Sequence, residues 1–332
     1  MRVLVVGGGA IGGITAALLS RVADRVAVLG SDSDSTDLLR SPGLLVERHG
    51  RRERFALEAY RTAAQIGGPF DYCLIAVKAS AVETALPPLA ARDDIATFVS
   101  LGNGLVYERI GEIVGADRLI VGTVEWGATN LGAAHVEQTN ENPIVIGELD
   151  GSIRPRTRRL EALLSTLCEV RTTDDIAGQM WSKLLLNTAV SGLGVVAGES
   201  CGVVLADPWG QLATRCLWAE TLSVALRLGL SPGPIAGLAP TAIASPERSD
   251  YEPALAHLRE TAGPTRASML QDVERGRITE VDVINGAVVA AARSAGMPAP
   301  YNACVCELVH AFERGERTPA LALLQTVAQA AG

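Results

Sequence analysis

Lys183 and Asn187 lie four residues apart in the otherwise apolar stretch 179-QMWSKLLLNTAVSG-192. On a helix that spacing stacks both side chains on one face, and Ser191 extends the polar stripe by a further turn. A lysine so placed has two readings. It lays its stem along the core with its ammonium in water, or it hands a proton to a reacting oxygen. Composition bears on the choice: of 29 basic residues only Lys78 and Lys183 are lysines, and the other 27 are arginines. A lysine's pKa falls readily on burial, so it exchanges protons near neutrality where arginine does not.

Other residues able to do chemistry sit far from this stripe in the chain. The run 7-GGGAIGG-13 contains Gly7, Gly9 and Gly12 in the spacing Gly-x-Gly-x-x-Gly, with Ala10 and Ile11 between. It lies between an apolar run and a helical pattern, the context in which such a turn cradles a dinucleotide pyrophosphate. The first glycine permits the tight turn, the second admits the phosphates, and the third lets helix and strand pack closely. Lys78 in 76-AVKAS-80 and Asn103 in 99-VSLGNGL-105 each end a strand pattern. The plain alternatives are a surface lysine and a turn-forming Asn-Gly pair. Ser268 opens a helical pattern, where a hydroxyl and nearby amides suit a carboxylate. Glu280 and Asp282 precede another helix, where acidic residues also serve as ordinary dipole partners.

The elements that must position these groups follow from periodicity. Strand patterns at 2–6, 25–30, 71–78, 95–100 and 118–122 alternate with helical ones at 14–20, 80–90 and 105–113. That alternation predicts a doubly wound parallel sheet, a Rossmann-type α/β domain. Short strands at 134–139 and 143–147 predict an antiparallel extension of the sheet; helix 153–167 and strand 168–173 complete the domain. Beyond Asp175 only helical patterns occur, at 176–197, 207–229, 249–260, 264–275, 281–295 and 302–314, with a Pro/Gly loop at 230–240. The expected division is therefore a dinucleotide-binding domain, 1–175, and an all-helical substrate or dimerisation domain, 176–332. Lys183 falls in the first helix past that boundary, where a cleft between domains is expected.

Gross composition narrows the function. With 332 residues two domains are expected. A net charge of −8 and the lack of a basic, aromatic-interleaved stripe argue against nucleic acid. No uninterrupted apolar run reaches bilayer length, and the N-terminal run is unlike a signal peptide, so no membrane role and a cytoplasmic location are expected. The six cysteines have neither CxxC nor zinc spacing; reduced buried thiols and no metal site are expected. The apolar helical half leaves a homodimer open.

Taken together, the glycine turn at residue 7, 76-AVKAS-80, 102-GNG-104, 181-WSKLLLN-187, 268-SMLQD-272 and 279-TEVDVINGA-287 resemble the ketopantoate reductase family in order and spacing. The resemblance runs over nearly the whole chain, including 147-GELDG-151 and 205-LADP-208. It implies an NAD(P)-dependent oxidoreductase that moves hydride to the C2 ketone of 2-dehydropantoate, giving pantoate for pantothenate biosynthesis. By that resemblance Lys183 protonates the forming alkoxide. Asn187 and Glu280 hold the substrate's distal hydroxyl and the lysine, and Ser191 continues that wall. Ser268 binds the carboxylate, while Lys78 and Asn103 line the cofactor side, with Asn103 also within reach of substrate and Glu280 of cofactor.

Two departures from the family pattern stand out. The family shows a second asparagine, often followed by proline, where this chain has Ser191-Gly192, and a further asparagine is replaced in 198-GESCG-202. Both losses fall on the wall expected to grip the substrate's hydroxyl, so a paralogue reducing another 2-oxo acid stays open. NADPH-using members carry an arginine just past the second strand; here Ser31 and Asp32 occupy that place. Asp32 lies 20 residues beyond Gly12, the spacing of a carboxylate on a free ribose 2′-OH, while Arg40 is a possible phosphate partner. NADP(H) and NAD(H) therefore both stay open. An opine- or 3-hydroxyacid-type dehydrogenase would call for a histidine base, and none of the four histidines (49, 135, 257, 310) lies in a site motif. A non-catalytic dinucleotide sensor would have no use for a proton donor.

Overall fold

The structure, a computed structural model, describes residues 1–30 and 33–331. The chain forms two compact units, Met1–Ile176 and Ala177–Gly332.

The first unit opens with β1 (Arg2–Val6), α1 (Ala10–Leu19), β2 (Arg25–Leu29) and α2 (Ser33–Leu38). Then come β3 (Leu44–Arg48), β4 (Arg51–Phe55), β5 (Glu58–Tyr60), β6 (Phe70–Ile75) and β7 (Ile95–Ser100). After α3 (Val106–Val114) follow β8 (Leu119–Val124), β9 (Ala128–Gly132), β10 (His135–Gln138) and β11 (Ile144–Gly147). Helix α4 (Pro155–Leu164) and β12 (Val170–Thr172) close the unit. Val3 to Val6 are wholly buried, as a strand covered on both faces must be, which is why its sequence is an unbroken apolar run. Helix α3 buries Val106, Tyr107, Ile110 and Val114 and exposes Glu108 and Arg109; Gly115, at φ +87°, ends it.

Eight strands form the main sheet in the order β12-β11-β8-β7-β6-β1-β2-β5. All neighbours run parallel except β11, which lies antiparallel to β8. The chain passes from β1 to β2 on one side and later to β6 on the other, so the order reverses at β1. Ligands of open α/β sheets bind at the carboxyl ends of the strands beside such a reversal.

Two expectations need correcting here. The segment 143–147 does extend the main sheet antiparallel, but 134–139 does not: β10 belongs to a second sheet, β4-β3-β10-β9. This sheet is two hairpins joined by parallel pairing of β10 with β3. The first turns at His49 and Gly50, both at positive φ, and the buried face (Leu44, Val46, Phe55, Val136) joins the core that holds Ile14 and Ala17 of α1. The single helix expected over 80–90 is instead three short turns, Ala79–Ala81, Val82–Ala85 and Pro87–Ala90. Pro87 and Pro88 lack the N–H groups that continuation would use.

The second unit is helical. Helix α5 (Ile176–Leu186), whose first residue is the last of unit one, runs without a break through a wide π-type turn, Asn187–Ser191, into α6 (Gly192–Ala197). Over its best 18 residues the span Ile176–Ala197 has a mean hydropathy of 1.2, enough to cross a bilayer by composition, but 78% of that window is buried inside the fold, as in a core helix. Beyond it lie α7 (Pro208–Arg227), α8 (Arg248–Ala262), α9 (Ser268–Glu274), α10 (Asn285–Ser294), α11 (Pro300–Glu313) and α12 (Leu323–Ala328). Asp207 caps α7, its Oδ1 accepting from the Trp209 and Gly210 amides (2.8 and 3.0 Å), with Pro208 as first helical residue. Helices α9 and α10 begin at 268 and 285, later than the patterns at 264 and 281. Cys201–Ala206, Pro240–Ala244 and α12 add helix where the sequence signalled none.

Candidate active site

In the first unit the glycine turn is shaped by what each missing side chain avoids. A Cβ on Gly12 would stand 2.0 Å from the Gly7 carbonyl oxygen, and one on Gly7, itself at φ +104°, 2.9 Å from the Ala76 oxygen. These two glycines are demanded by the fold. Gly9 differs: among the described residues a Cβ there would meet nothing within 4 Å. Its lack of a side chain serves open space above the turn, where a ligand would come in. Gly9 also precedes α1, whose first turn has no side-chain cap and no acidic residue. The first intrahelical bond is Gly13 N–H to the Gly9 carbonyl (2.7 Å), which leaves the amides of Ala10, Ile11 and Gly12 facing outward for an anion. This cradle fits a dinucleotide pyrophosphate.

Lys78 lies three residues past the end of β6, and Asn103 three past the end of β7; both are half-buried at the carboxyl edge of the sheet that also carries the glycine turn. Ser31 and Asp32 lie outside the described residues. The structure brings a different group to the end of β2. Parallel pairing sets Leu29 of β2 opposite Tyr60 of β5, and the Gly30 amide donates to the Tyr60 carbonyl (2.9 Å), so Arg61 emerges beside the β2 end. Arg61 and Arg40 both pair with the Asp37 carboxylate, Arg40 at 3.2 Å, and Arg40 Nε also donates to the Ala59 carbonyl (2.7 Å). Nothing in the local sequence singled out Arg61, because strand pairing alone places it there.

Glu148, from the motif at the sheet edge, is 2% exposed and belongs to the scaffold. Its Oε1 accepts from Thr157 Oγ1 (2.6 Å) and Arg156 Nε (2.9 Å), and Arg154 approaches Oε2. Burial pushes this carboxyl up, but the bonds from Arg156 and Thr157 and the two arginine charges outweigh it and hold it below the ordinary range.

In the second unit α5 buries Trp181, Leu184 and Leu185 almost completely. Lys183, Leu186, Asn187, Val190 and Ser191 are all only part-buried, and their spacing makes one helical face. Ser182, next to the lysine, is wholly buried; its Oγ donates to the Gly178 carbonyl (2.9 Å) and accepts from the Gly233 amide (2.7 Å). The Pro/Gly loop is thereby fastened to the helix that carries Lys183. Ser268 is the exposed first residue of α9, and α9 packs against the wide turn and α6. Glu280 is 8% exposed and leads the one-turn helix Val281–Val283. Asp282 points elsewhere, pairing with His310 at 3.0 Å with its side chain 76% exposed. The structure thus gathers the Ser268 helix and the stripe's wide turn, and places Glu280 in a segment that continues directly into α10.

Behind the stripe lies a buried polar network that the sequence did not single out. Asn285 and Asn302 are fully buried, the first at the start of α10 and the second in the first turn of α11. Asn285 Nδ2 donates to Asn302 Oδ1 (2.9 Å) and to the Thr188 carbonyl (3.4 Å). Asn302 Nδ2 donates to Glu220 Oε1 (2.8 Å), which also accepts the Asn302 amide (2.8 Å). Burial raises the Glu220 carboxyl, and the bonds from Asn302 and Tyr301 only partly counter it.

Known proteins resemble this chain along most of its length. The model described as "Ketopantoate reductase PanE/ApbA" matches residues 3–151, and that described as "Ketopantoate reductase PanE/ApbA C terminal" matches 175–313. A 2-dehydropantoate 2-reductase of Archaeoglobus fulgidus is 27% identical over 315 residues, covering 95% of this chain and 98% of that protein. One of Halobacterium salinarum is 26% identical over 319 residues, covering 95% and 99%. Among solved structures, a D-mandelate dehydrogenase with NADH and anilino(oxo)acetate superposes with a TM-score of 0.82 at 21% identity, covering 95% of this chain and 99% of that one, a likeness of fold. With both halves matched in order over most of its length, and with a dinucleotide cradle at the first of them, the chain belongs to the ketopantoate reductase family of NAD(P)-dependent oxidoreductases.

Proposed function

We propose that this protein reduces the ketone of a 2-oxo acid, 2-dehydropantoate foremost, with Lys183 as the proton donor. The observation that carries this reading is the part-buried face on which Lys183, Asn187 and Ser191 line up, in a unit with no other lysine. The bound dinucleotide supplies the hydride. Lys183 Nζ gives the carbonyl oxygen its proton, so the C2=O group becomes CH–OH and the lysine recovers a proton from solvent. Ser268 Oγ donates to the substrate carboxylate. Asn187 and Ser191 receive the distal group, and Glu280 orients the lysine. Asn103 and Lys78 hold the nicotinamide and sugar side of the cofactor, and the Gly7–Gly12 turn its pyrophosphate. Arg40 and Arg61, which share the Asp37 carboxylate past the end of β2, support NADPH over NADH, since a 2′-phosphate can replace Asp37 between them.

A second reading is favoured by one specific feature, Ser191-Gly192 in the wall expected to hold the distal hydroxyl. It keeps the reaction and changes the acid. The test is loss of absorbance at the reduced-nicotinamide band with 2-dehydropantoate, simple aliphatic 2-oxo acids and phenylglyoxylate, each with NADPH and NADH. Turnover of 2-dehydropantoate above the others upholds the first reading. Preference for another acid upholds the second, and no oxidation of either cofactor with any acid defeats both.

A further inference from the structure

The wide turn Asn187–Ser191 is an irregularity in the middle of a buried helix. The Gly192 amide reaches back five residues to the Asn187 carbonyl as well as three to that of Ala189, so the regular i to i−4 ladder is interrupted here. Such turns leave carbonyls in need of other donors and change the angular step between successive side chains. This one falls between Asn187 and Ser191, the two residues that flank the substrate's distal group in the reading above. One side-chain donor to a carbonyl of this turn comes from 97 residues downstream: Asn285 Nδ2 bonds to the Thr188 oxygen. Asn285 can come so close because residue 192 has no side chain; a Cβ there would stand 3.1 and 3.2 Å from the Asn285 amide nitrogen and oxygen. The Asn285 amide is held in turn by Asn302, and Asn302 by Glu220. Thr188 Oγ1 is also fixed, 3.1 Å from Thr221 Oγ1.

We propose that Asn285 is a positioning residue for the substrate wall: seated in the space left by Gly192, it holds the Thr188 carbonyl and thereby sets where Asn187 and Ser191 stand relative to Lys183. Gly192 is its necessary counterpart. The pair accounts for glycine at 192, since a Cβ there would press on the Asn285 amide. Because Asn285 lies five residues after Glu280, the same contact also ties the Glu280 segment to the stripe. The inference rests on the reading of function above.

Two variants test it. Asn285→Leu removes the donor at similar volume. Gly192→Ala falls at helical dihedrals (φ −59°, ψ −50°), which alanine accepts, and presses on the Asn285 amide instead. Steady-state kinetics with the best 2-oxo acid should show its KM raised about tenfold in Asn285→Leu and severalfold in Gly192→Ala, with the dinucleotide KM unchanged, a split that general loosening would not produce. Gly192→Ala carries the test if Asn285→Leu does not fold. A wild-type protein that reduces no 2-oxo acid overturns the reading of function and the inference with it. Wild-type turnover with an unchanged substrate KM in the folded variants, or with both KM values raised alike, overturns the inference alone.

Discussion

The two units carry their candidate residues in opposite materials. At the end of β1 the site is made of backbone: three glycines, three outward amides, and open space above Gly9. On α5 and the wide turn the proposed site is made of side chains, Lys183, Asn187 and Ser191, with Ser268 at the start of α9 and Glu280 just before Val281–Val283 as its further members. A backbone site can be written in six consecutive residues because only the local path of the chain matters. A side-chain site needs the whole unit to fold before its parts meet. The first therefore tolerates change everywhere except at its glycines, while the second depends on distant supports such as Asn285.

That contrast can be broken or sharpened in four ways. The largest effect is expected at Lys183. Lys183→Ala should lower kcat about 10²- to 10⁴-fold, the range for a general acid, while the dinucleotide Kd, read by nicotinamide fluorescence, stays as it was. A variant retaining full turnover would remove the lysine from the mechanism.

Next comes a comparison of two buried glutamates. Glu148→Gln strips a carboxylate from Arg156 and should cost about 3 kcal/mol of stability at pH 7, in urea denaturation, with kcat per folded molecule unaltered. Because the folded Glu148 carboxyl lies below its ordinary value, its stabilisation is present above the unfolded value near 4.3 and is lost as pH falls through the folded one. The gap between variant and parent should therefore close at acid pH; a gap that persists there would show packing, not charge, at work. Glu280→Gln should do the reverse, lowering turnover about tenfold or more with little change in the urea midpoint.

Within the backbone site, Gly12→Ala and Gly9→Ala should separate fold from ligand. The first drives a Cβ into the Gly7 carbonyl and should lower stability by about 1–3 kcal/mol along with binding. The second meets open space, so the melting temperature should hold while the dinucleotide Kd rises. Equal melting curves for the two variants would contradict the steric account. The smallest effect is expected at Arg61. Arg61→Ala should reduce kcat/KM for NADPH about tenfold relative to NADH, and Asp37→Asn should shift the ratio the other way by less. No change in either ratio would move the 2′ site elsewhere.

How much of this was legible in the sequence follows from the same difference in materials. The glycine turn, the parallel strands and the lysine stripe are local patterns of period and spacing, and each appears where its residues predicted. The second sheet was not legible, since β10 pairs with a strand some 90 residues earlier and alternation alone does not name a partner. Arg61 and Asn285 were missed for that reason too. Arg61 reaches the end of β2 only through the pairing of β5, and Asn285 reads as one more polar residue at a helix start until the Thr188 carbonyl is seen beside it. Asp282, by contrast, looked like an ordinary acidic helix start and is one, paired with His310 on the surface.

The bond from Asn285 to Thr188 also has a bearing on time. During synthesis the turn at 187–191 is complete long before its donor exists: 97 residues separate them, about 5–20 s at ribosomal rates of roughly 5–20 residues per second. The glycine turn, whose Gly7 and Gly12 stand against Ala76 and Val77, is finished early. From the completion of Ser191 until Asn285 is made, then, the nascent chain already carries a nucleotide cradle while the helix that bears Lys183 still waits for the last quarter of the sequence to supply its side-chain donor.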